Sequence, residues 1–187
     1  MTAIVEIGDS ELEGAPPYQR MLDEGVCTAT IARHDCLEID EPPSGPIDLL
    51  KITGDSPGPG LLLLGGDKVC VHTAVSFFPD YTFGDIDREL RNQGFVAHCF
   101  ADCYLTTIGT EVKVPHPDPH QLAMADIFYV RDFRKPMEAE QWKQLAMIAH
   151  HVCGSFDLAM HAVTVLALQD KIARDAPDQY QRILETL

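Results

Sequence analysis

Two stretches of the chain concentrate side chains that could bind a metal ion. They carry nitrogen, sulfur and oxygen ligands of the kinds that zinc accepts: His98, Cys99, Cys103, His116, Asp118 and His120. In a regular strand, however, the Cys99 and Cys103 sulfurs point to the same face about 13 Å apart, too far for one tetrahedral ion. We therefore predict core thiols and loop histidines and no metal site, and a metal-binding protein is the second alternative to the function given below.

A second group could act in nucleophilic chemistry. His150, Cys153 and Asp157 follow one another at three- and four-residue spacing, which would align them on one face of a helix. A thiol beside an imidazole can be a nucleophile. A cysteine that faces apolar neighbours on a helix is usually unreactive, so we interpret Cys153 as a packing residue. Asp157 is then the cap of a helix that follows a break at Gly154.

The elements that must position these residues alternate along the chain. Apolar runs predict strands over residues 3–7, 26–32, 47–53, 68–78, 95–108 and 122–133. Two prolines at the start and Gly25 at the end predict a helix over residues 16–25. Phe83, Ile86 and Leu90 at helical spacing, with a stop at Gly94, predict a second helix over residues 83–94. Residues 137–173 contain no proline and predict two helices that bend at Gly154. This order predicts an α/β sandwich with a mostly parallel sheet and right-handed crossovers.

Composition limits the partners. The 187 residues carry 14 basic and 29 acidic side chains, a formal net charge of -15, which disfavours nucleic acids and anionic membranes. No run of apolar residues is long enough to span a membrane, so we expect a soluble, cytoplasmic protein. The six cysteines form no C-x-x-C pair, which indicates reduced thiols.

Five segments together resemble one enzyme family. They are "EIGDSELEGAPPYQRMLDEG", "DLLKI", "VHTAVSFFPDYTFGDIDRELRNQGFVAH", "ADIFYVRDF" and "QLAMIAHHVCGSFDLAMHAV". In these segments the sequence resembles the FkbM-type S-adenosylmethionine-dependent methyltransferases. The resemblance implies a Rossmann-like methyltransferase sandwich, here shortened, whose mostly parallel sheet has an antiparallel edge hairpin. We predict this α/β domain over residues 1–136 and a C-terminal helical extension packed on it over residues 137–187.

The resemblance also implies a cofactor site. Glu6, Gly8 and Gly14 match the acidic residue and the glycines of the family's first cofactor motif. The glycines would let the backbone approach the ligand, and the acid would hold the methionine ammonium. At the second motif, Arg33 stands where the family has an acid for the ribose hydroxyls. Because arginine can only donate hydrogen bonds, Asp35 is the candidate that could replace that acid.

Several family features are missing. About a dozen residues separate the second strand from the third, too few for the helix, strand and helix that the family has there. In the family's catalytic strand Lys51 fits, but Thr53 replaces an aspartate and the run from Pro57 to Gly60 replaces a glutamate and a helix start. In the next strand, Ala74 and Ser76 stand where carboxylates are expected.

These losses predict a methyltransferase-like domain without catalysis, which acts as a protein-binding or accessory subunit with a protein partner or as a homodimer. S-adenosylmethionine is the cofactor that the fold could hold. The first alternative is an active O-methyltransferase for a sugar or small metabolite. It would use Glu6, Gly8, Gly14 and Asp35 for the cofactor, with Asp55 or His72 as the base.

Overall fold

The computed structural model describes residues 4–7, 18–25, 27, 32–34, 47–52, 68–78, 82–108 and 119–186. Its strands are β1 Ile4–Ile7, β2 Ala32–His34, β3 Leu49–Ile52, β4 Cys70–Ser76, β5 Phe95–Thr106 and β6 Gln121–Arg131. Its helices are α1 Gln19–Asp23, α2 Phe83–Asn92, α3 Ala139–His151, α4 Phe156–Leu168 and α5 Ala176–Leu184.

The strands form one mixed sheet in the order β2-β1-β3-β4-β6-β5. Strands β1 to β4 are parallel to their neighbours, whereas β6 runs antiparallel to both β4 and β5. The β5–β6 pair is thus an antiparallel hairpin at one edge of a parallel sheet. The predicted Rossmann-like α/β class, with a shortened sheet and an edge hairpin, is confirmed.

Both faces of the sheet are covered, because its strands are apolar on both sides. One face carries Ile4, Leu49, Cys70 and Val130, and it packs in a single cluster with buried side chains of α3 and α4. The other face carries Val71, Val75, Ile127 and Tyr129, and it packs against α2 through Ile86 and Leu90. The result is a three-layer sandwich.

Local signals in the sequence set the bounds of the helices around the hairpin. At the start of α2, Thr82 and Asp85 form a capping box. Each of the two side chains accepts a hydrogen bond from the backbone N–H of the other residue. Gly94 follows α2 with a φ of 86°, and Gly154 lies between α3 and α4 with a φ of 62°. These left-handed values are easily reached only by glycine, which explains the predicted stops.

The C-terminal region differs from the prediction in having a third helix. Helix α5 has Pro177 in its first turn and Ala176, Tyr180, Ile183 and Leu184 at helical spacing, which are signals that could have predicted it, and it buries none of its residues fully. Tyr180 and Ile172 pack against the cluster that α3 and α4 form with the sheet. The division of the chain at residue 136 stays a prediction.

The second strand also differs from the prediction. Of the predicted strand 26–32, the structure describes only Cys27 and Ala32. Cys27 is buried and lies in no regular element, and Ala32 belongs to β2, which extends to His34 and pairs with Val5 to Ile7 of β1.

In the part of the chain that the structure describes, no helix has the length and apolar character needed to cross a membrane.

Candidate functional site

Three polar side chains stand side by side on neighbouring parallel strands. Glu6 of β1 pairs in register with Lys51 of β3, and Lys51 pairs with His72 of β4. Register partners on neighbouring strands point to the same face of a sheet. Glu6 and Lys51 each lie one residue before the carboxyl end of their strand, which is the edge where open α/β sheets bind ligands. We use the name polar row for four side chains: Glu6, Lys51, His72 and Asp126 of β6.

Glu6 is held by two donors. The Lys51 Nζ atom lies 3.1 Å from Glu6 Oε1, and the Tyr18 hydroxyl donates a hydrogen bond to Glu6 Oε2. The side chains of Lys51 and Glu6 are only 13% and 15% exposed, so the ion pair is largely shielded from water. Tyr18 is fully buried just before α1, which fixes its hydroxyl in place. Both carboxylate oxygens of Glu6 therefore already accept bonds from the protein.

His72 is buried without a hydrogen-bond partner. It is 8% exposed, and its ring stacks on Phe128 with 4.3 Å between centroids. Neither ring nitrogen has a partner in the structure of the described residues. Burial, together with the nearby Lys51 charge, lowers the pKa of His72 from 6.5 to about 4. The imidazole is therefore neutral at neutral pH.

Asp126 of β6 extends the row to a fourth strand. It lies directly across from Ala74 of β4, so it points to the same face as His72, two residues earlier on β4. It is half-buried, and burial raises its carboxyl pKa. The Tyr104 hydroxyl donates a long bond of 3.4 Å to Asp126 Oδ2. Asp126 was not among the predicted site residues, although an acid within the apolar run "LAMADIFYV" is a signal that could have indicated it.

Of the predicted site residues, the structure brings Glu6 and His72 together. Lys51, which the family resemblance identified, lies between them. Gly8, Gly14, Asp35 and Asp55 lie outside the described residues. Ala74 lacks a carboxylate, and Asp126 places one directly across the strand pair. Opposite side chains of this kind have Cβ atoms about 4.5–5.5 Å apart.

The cysteines of β5 do not face the same way, which corrects the prediction. Cys99 lies opposite Phe128 and Cys103 opposite Ala125, so the two thiols point to opposite faces of the sheet. The cause is a register irregularity between Phe100 and Asp102, where β5 has one extra residue. Within residues 4–7, 18–25, 27, 32–34, 47–52, 68–78, 82–108 and 119–186, no three His, Cys, Asp or Glu side chains could hold a metal ion together. His116 and Asp118 lie outside these residues.

A hydrogen-bonded chain of His98, Ser155 and Asp157 resembles a nucleophile site in composition. The His98 Nε2 atom lies 2.7 Å from Ser155 Oγ, and the Ser155 hydroxyl donates to Asp157 Oδ1 at 2.7 Å. A hydroxyl has one proton. Because that proton goes to Asp157, His98 must donate to Ser155 and cannot accept from it. This is the reverse of the bond that activates a serine.

The residues predicted to share one helix face are separated in the structure. His150 lies in the last turn of α3 and Asp157 in the first turn of α4, and the break at Gly154 lies between them. The N-cap of α4 is Ser155, which corrects the prediction that Asp157 is the cap. The His150 Nδ1 atom lies 2.8 Å from the Tyr180 hydroxyl, which ties α5 to α3. Hydrogen bonds from Ser155 and from the Leu158 backbone lower the pKa of Asp157, in keeping with a charge at a helix start.

Comparisons with known proteins add little to this description. No family model matches the sequence, and a search of curated proteins gives no match. One similar solved structure is described as an RNA methyltransferase from Pyrococcus horikoshii, with 10% identity over 69% of this chain and 74% of that chain and a TM-score of 0.39. Another is described as a methyltransferase from Thermoplasma acidophilum, with 10% identity over 71% of this chain and 69% of that chain and a TM-score of 0.37. At this level of similarity neither bears on what the chain does, and the fold class rests on the strand order given above.

Proposed function

We propose that the chain is a methyltransferase-like domain that does not transfer methyl groups and that acts by binding another protein. The observation that carries the first part is the state of Glu6. The family resemblance gives Glu6 the task of holding the cofactor's ammonium group. In this chain its two oxygens accept bonds from Lys51 and Tyr18, two residues of the protein itself.

The candidate base supports the same proposal. A general base works best when its pKa lies near the operating pH. The pKa of about 4 makes the buried His72 a weak base at neutral pH. Methyl transfer further requires that donor and acceptor be held in line, and this positioning supplies most of the rate. A site in which Lys51 already balances the charge of the cofactor-binding acid holds a cationic cofactor less firmly and loses part of that contribution.

Titration calorimetry with S-adenosylmethionine tests this part. We expect no heat of binding at millimolar ligand, because the cationic ammonium group would meet a carboxylate whose charge Lys51 already balances at 3.1 Å. Glu6→Gln should then give the same flat trace as the wild-type chain. Micromolar binding by the wild-type chain that Glu6→Gln weakens would contradict the proposal.

Asp126 favours the alternative of an active O-methyltransferase. It restores a carboxylate beside the position of Ala74, and burial raises its pKa toward the range of a useful base. In that alternative Asp126, rather than His72 or Asp55, would take the proton of an acceptor hydroxyl. Cofactor binding in the calorimeter, followed by methyl transfer that Asp126→Asn abolishes, would establish it.

The protein-binding part is supported by an apolar surface on the edge hairpin. In the second half of β5, residues 100–105 are exposed on both sides of the strand. The hairpin surface consists of five exposed apolar side chains: Phe100, Tyr104, Leu105, Ile108 and Met124. Phe100 lies opposite Ile127 and Tyr104 opposite Met124, so the hairpin surface includes both sides of the edge strand. Groups of exposed large apolar side chains mark interaction sites more often than isolated ones do.

The charge around the hairpin surface indicates the chemistry of its partner. Asp102 is the single Asp, Glu, Lys or Arg side chain among residues 95–108, and Asp126 lies across from it on β6. The whole chain carries a net charge of -15, which disfavours a second copy at close range. We therefore assign the surface to a partner that presents apolar side chains flanked by lysine or arginine.

The partner should contact the side chains of the hairpin and should not extend the sheet. Three register irregularities interrupt β5. Bulges and inserted charges on an edge strand disfavour the addition of another strand.

Selection of a displayed random-peptide library on the purified chain tests the choice of partner. We expect enriched peptides to combine apolar residues with lysine or arginine, and to lose at least tenfold in affinity when Leu105→Asp places a charge in the hairpin surface. Leu168→Asp is the control, because Leu168 is the same residue type, lies at the end of α4 and is more exposed, at 79% against 49% for Leu105. Acidic peptides, or peptides insensitive to Leu105→Asp, would contradict the assignment. A stable dimer that Leu105→Asp dissociates would assign the surface to a second copy.

A further inference from the structure

Three of the six cysteines lie together between the sheet and the turn that follows α3. Cys70 of β4 is the register partner of Val130 on β6. Cys99 of β5 is the register partner of Phe128, two residues earlier on β6. Because alternate residues and register partners share a face, both thiols point toward α3 and α4. Cys153, which follows α3, packs against the same cluster, so a third thiol faces the other two.

The end of α3 fixes the position of Cys153. The Cys153 backbone N–H donates to the Ile148 carbonyl at 3.1 Å. The Ser155 backbone N–H donates to the Ala149 carbonyl at 2.8 Å, and Ile148 and Ala149 are themselves fully buried. Gly154 reverses the chain directly after Cys153 with a φ of 62°. The turn therefore holds Cys153 through backbone bonds to a buried helix end.

Cys153 contacts Cys70, whereas β6 keeps Cys99 away from Cys70. The Cys153 and Cys70 thiols share a side-chain hydrogen bond. Strand β6 lies between β4 and β5, which separates the Cys70 and Cys99 backbones by about 10 Å. A disulfide requires Cα atoms about 4.4–6.8 Å apart. Cys70 and Cys153 are therefore the pair in contact, with Cys99 as a more distant neighbour.

Solvent reaches the two thiols of this pair unequally. Cys70 is fully buried, and Cys153 is partly exposed. Burial, followed by the hydrogen bond with Cys153, raises the pKa of the Cys70 thiol. Burial also raises the pKa of Cys99 to about 11. Because the thiolate is the reactive form, a dissolved oxidant should react first at Cys153, and Cys70 can react only with a sulfur that already lies beside it.

We propose that Cys70 and Cys153 form a reversible disulfide when the chain meets hydrogen peroxide. The Cys153 sulfur attacks one peroxide oxygen and breaks the O–O bond, which gives a sulfenic acid and one water. The Cys70 sulfur then attacks the Cys153 sulfur, so that the S–S bond forms and the S–O bond breaks. The leaving hydroxide takes the Cys70 proton and becomes the second water. The two thiols lose two electrons in total, and the peroxide gains them.

The disulfide would join β4 to the turn after α3, and a dithiol reductant would reverse it by exchange. A thiol that only fills space in a core needs no second thiol beside it. The bonded pair, with one member open to solvent, is the arrangement that a redox-sensitive link requires. This link depends neither on S-adenosylmethionine nor on the hairpin surface, so it can fail separately from the proposed function.

Peptide mapping of the peroxide-treated, full-length chain tests the proposal. Free thiols are blocked with N-ethylmaleimide before digestion, which prevents exchange. Trypsin places Cys70, Cys99 and Cys153 in three separate peptides, 69–88, 92–113 and 144–171. We expect the first and third peptides to appear as one linked species that dithiothreitol separates. Cys153→Ser should abolish this species, and Cys103→Ser, which removes an exposed thiol of β5, should leave its yield unchanged.

The melting temperature gives a second measurement. A link across a long loop restricts the unfolded chain, so the peroxide-treated wild-type chain should melt about 5 °C or more above the reduced chain. Cys153→Ser, which replaces a partly exposed thiol and leaves the buried Cys70 in place, should show no such rise.

Three outcomes would overturn the proposal. The linked species could join peptides 92–113 and 144–171, which would make Cys99 the partner of Cys153. Peroxide could convert Cys153 to a sulfinic acid without any linked peptide, which would show that the two sulfurs do not join. The linked chain could melt at or below the temperature of the reduced chain, which would show that the link does not fit the folded structure.

Discussion

His72 shows how the environment of one residue sets its chemistry. From sequence it is a candidate base, because an unperturbed imidazole titrates near neutral pH. In the fold its side chain lies on one face of the sheet, where it stacks on Phe128 and lies next to Lys51. Burial of a charged imidazole is costly, so its pKa falls to about 4. The same side chain is thereby a poor base and a good neutral donor and acceptor.

The lowered pKa of His72 predicts a specific loss of stability in acid. The folded state holds the proton less tightly than the unfolded state, so the stabilisation is present above pH 6.5 and is lost as the pH falls toward 4. The full loss would be roughly 3 kcal/mol in the free energy of unfolding. Urea unfolding between these pH values should show a steeper decline for the wild-type chain than for His72→Phe. His120→Ala, a change at an exposed histidine, should follow the wild-type curve.

At the scale of elements, the turn between α2 and β5 determines how the hairpin leaves the helix. Gly94 has a φ of 86°, and its backbone carbonyl accepts a bond from Asp132 N at 2.9 Å. The Arg131 side chain donates to the Gln93 carbonyl at 2.9 Å and lies over the Phe95 ring. The turn is thus bonded to the end of β6, which fixes the β5–β6 hairpin relative to α2.

Two glycine substitutions should therefore act in opposite directions. Gly94→Ala should lower the free energy of unfolding by about 1–2 kcal/mol, since alanine is strained at this φ and its Cβ would lie 3.3 Å from Arg131 Nη1. Gly84→Ala in the first turn of α2 should raise it by up to about 1 kcal/mol, because the nearest atom lies 3.7 Å away and alanine favours the helix. Urea unfolding of both variants beside the wild-type chain measures the difference. Equal effects would show that the turn is not constrained.

At the scale of the whole molecule, a strongly negative chain exposes an apolar hairpin. The net charge of -15 keeps copies of the chain apart at low ionic strength. The hairpin surface has few charges of its own and exposes large side chains, with Leu105 49% exposed. Repulsion and apolar attraction therefore oppose each other when two copies meet.

Salt should shift that balance. Raising the salt shortens the screening length from about 10 Å at 0.1 M to 3 Å at 1 M, so we expect weak self-association of the wild-type chain to grow with salt. Leu105→Asp should remain monomeric at both concentrations in sedimentation velocity. Leu168→Asp should behave like the wild-type chain. Association that is strongest at low salt would contradict this account.

Much of the architecture followed from local patterns. The apolar runs predicted β4, β5 and β6 to within about two residues at each end, since strand bounds there coincide with turn signals. Gly94 and Gly154 marked real chain reversals because no other residue adopts their φ values as easily. Glu6 and His72 were candidates from the family resemblance and from residue type.

The remaining features required the tertiary structure. Strand pairing placed Asp126 beside the position that lacked a carboxylate, and no spacing in the sequence relates residues 74 and 126. The irregularities of β5, which turn Cys99 and Cys103 to opposite faces, arise from pairing with β6. The sequence by itself determined an acidic α/β chain with strands in a given order, because periodicity and charge are local properties. Only the fold decided that the Glu6 carboxylate accepts a hydrogen bond from Lys51 and that the His72 nitrogens have no hydrogen-bond partner among the described residues. Both facts depend on which side chains come together across the sheet.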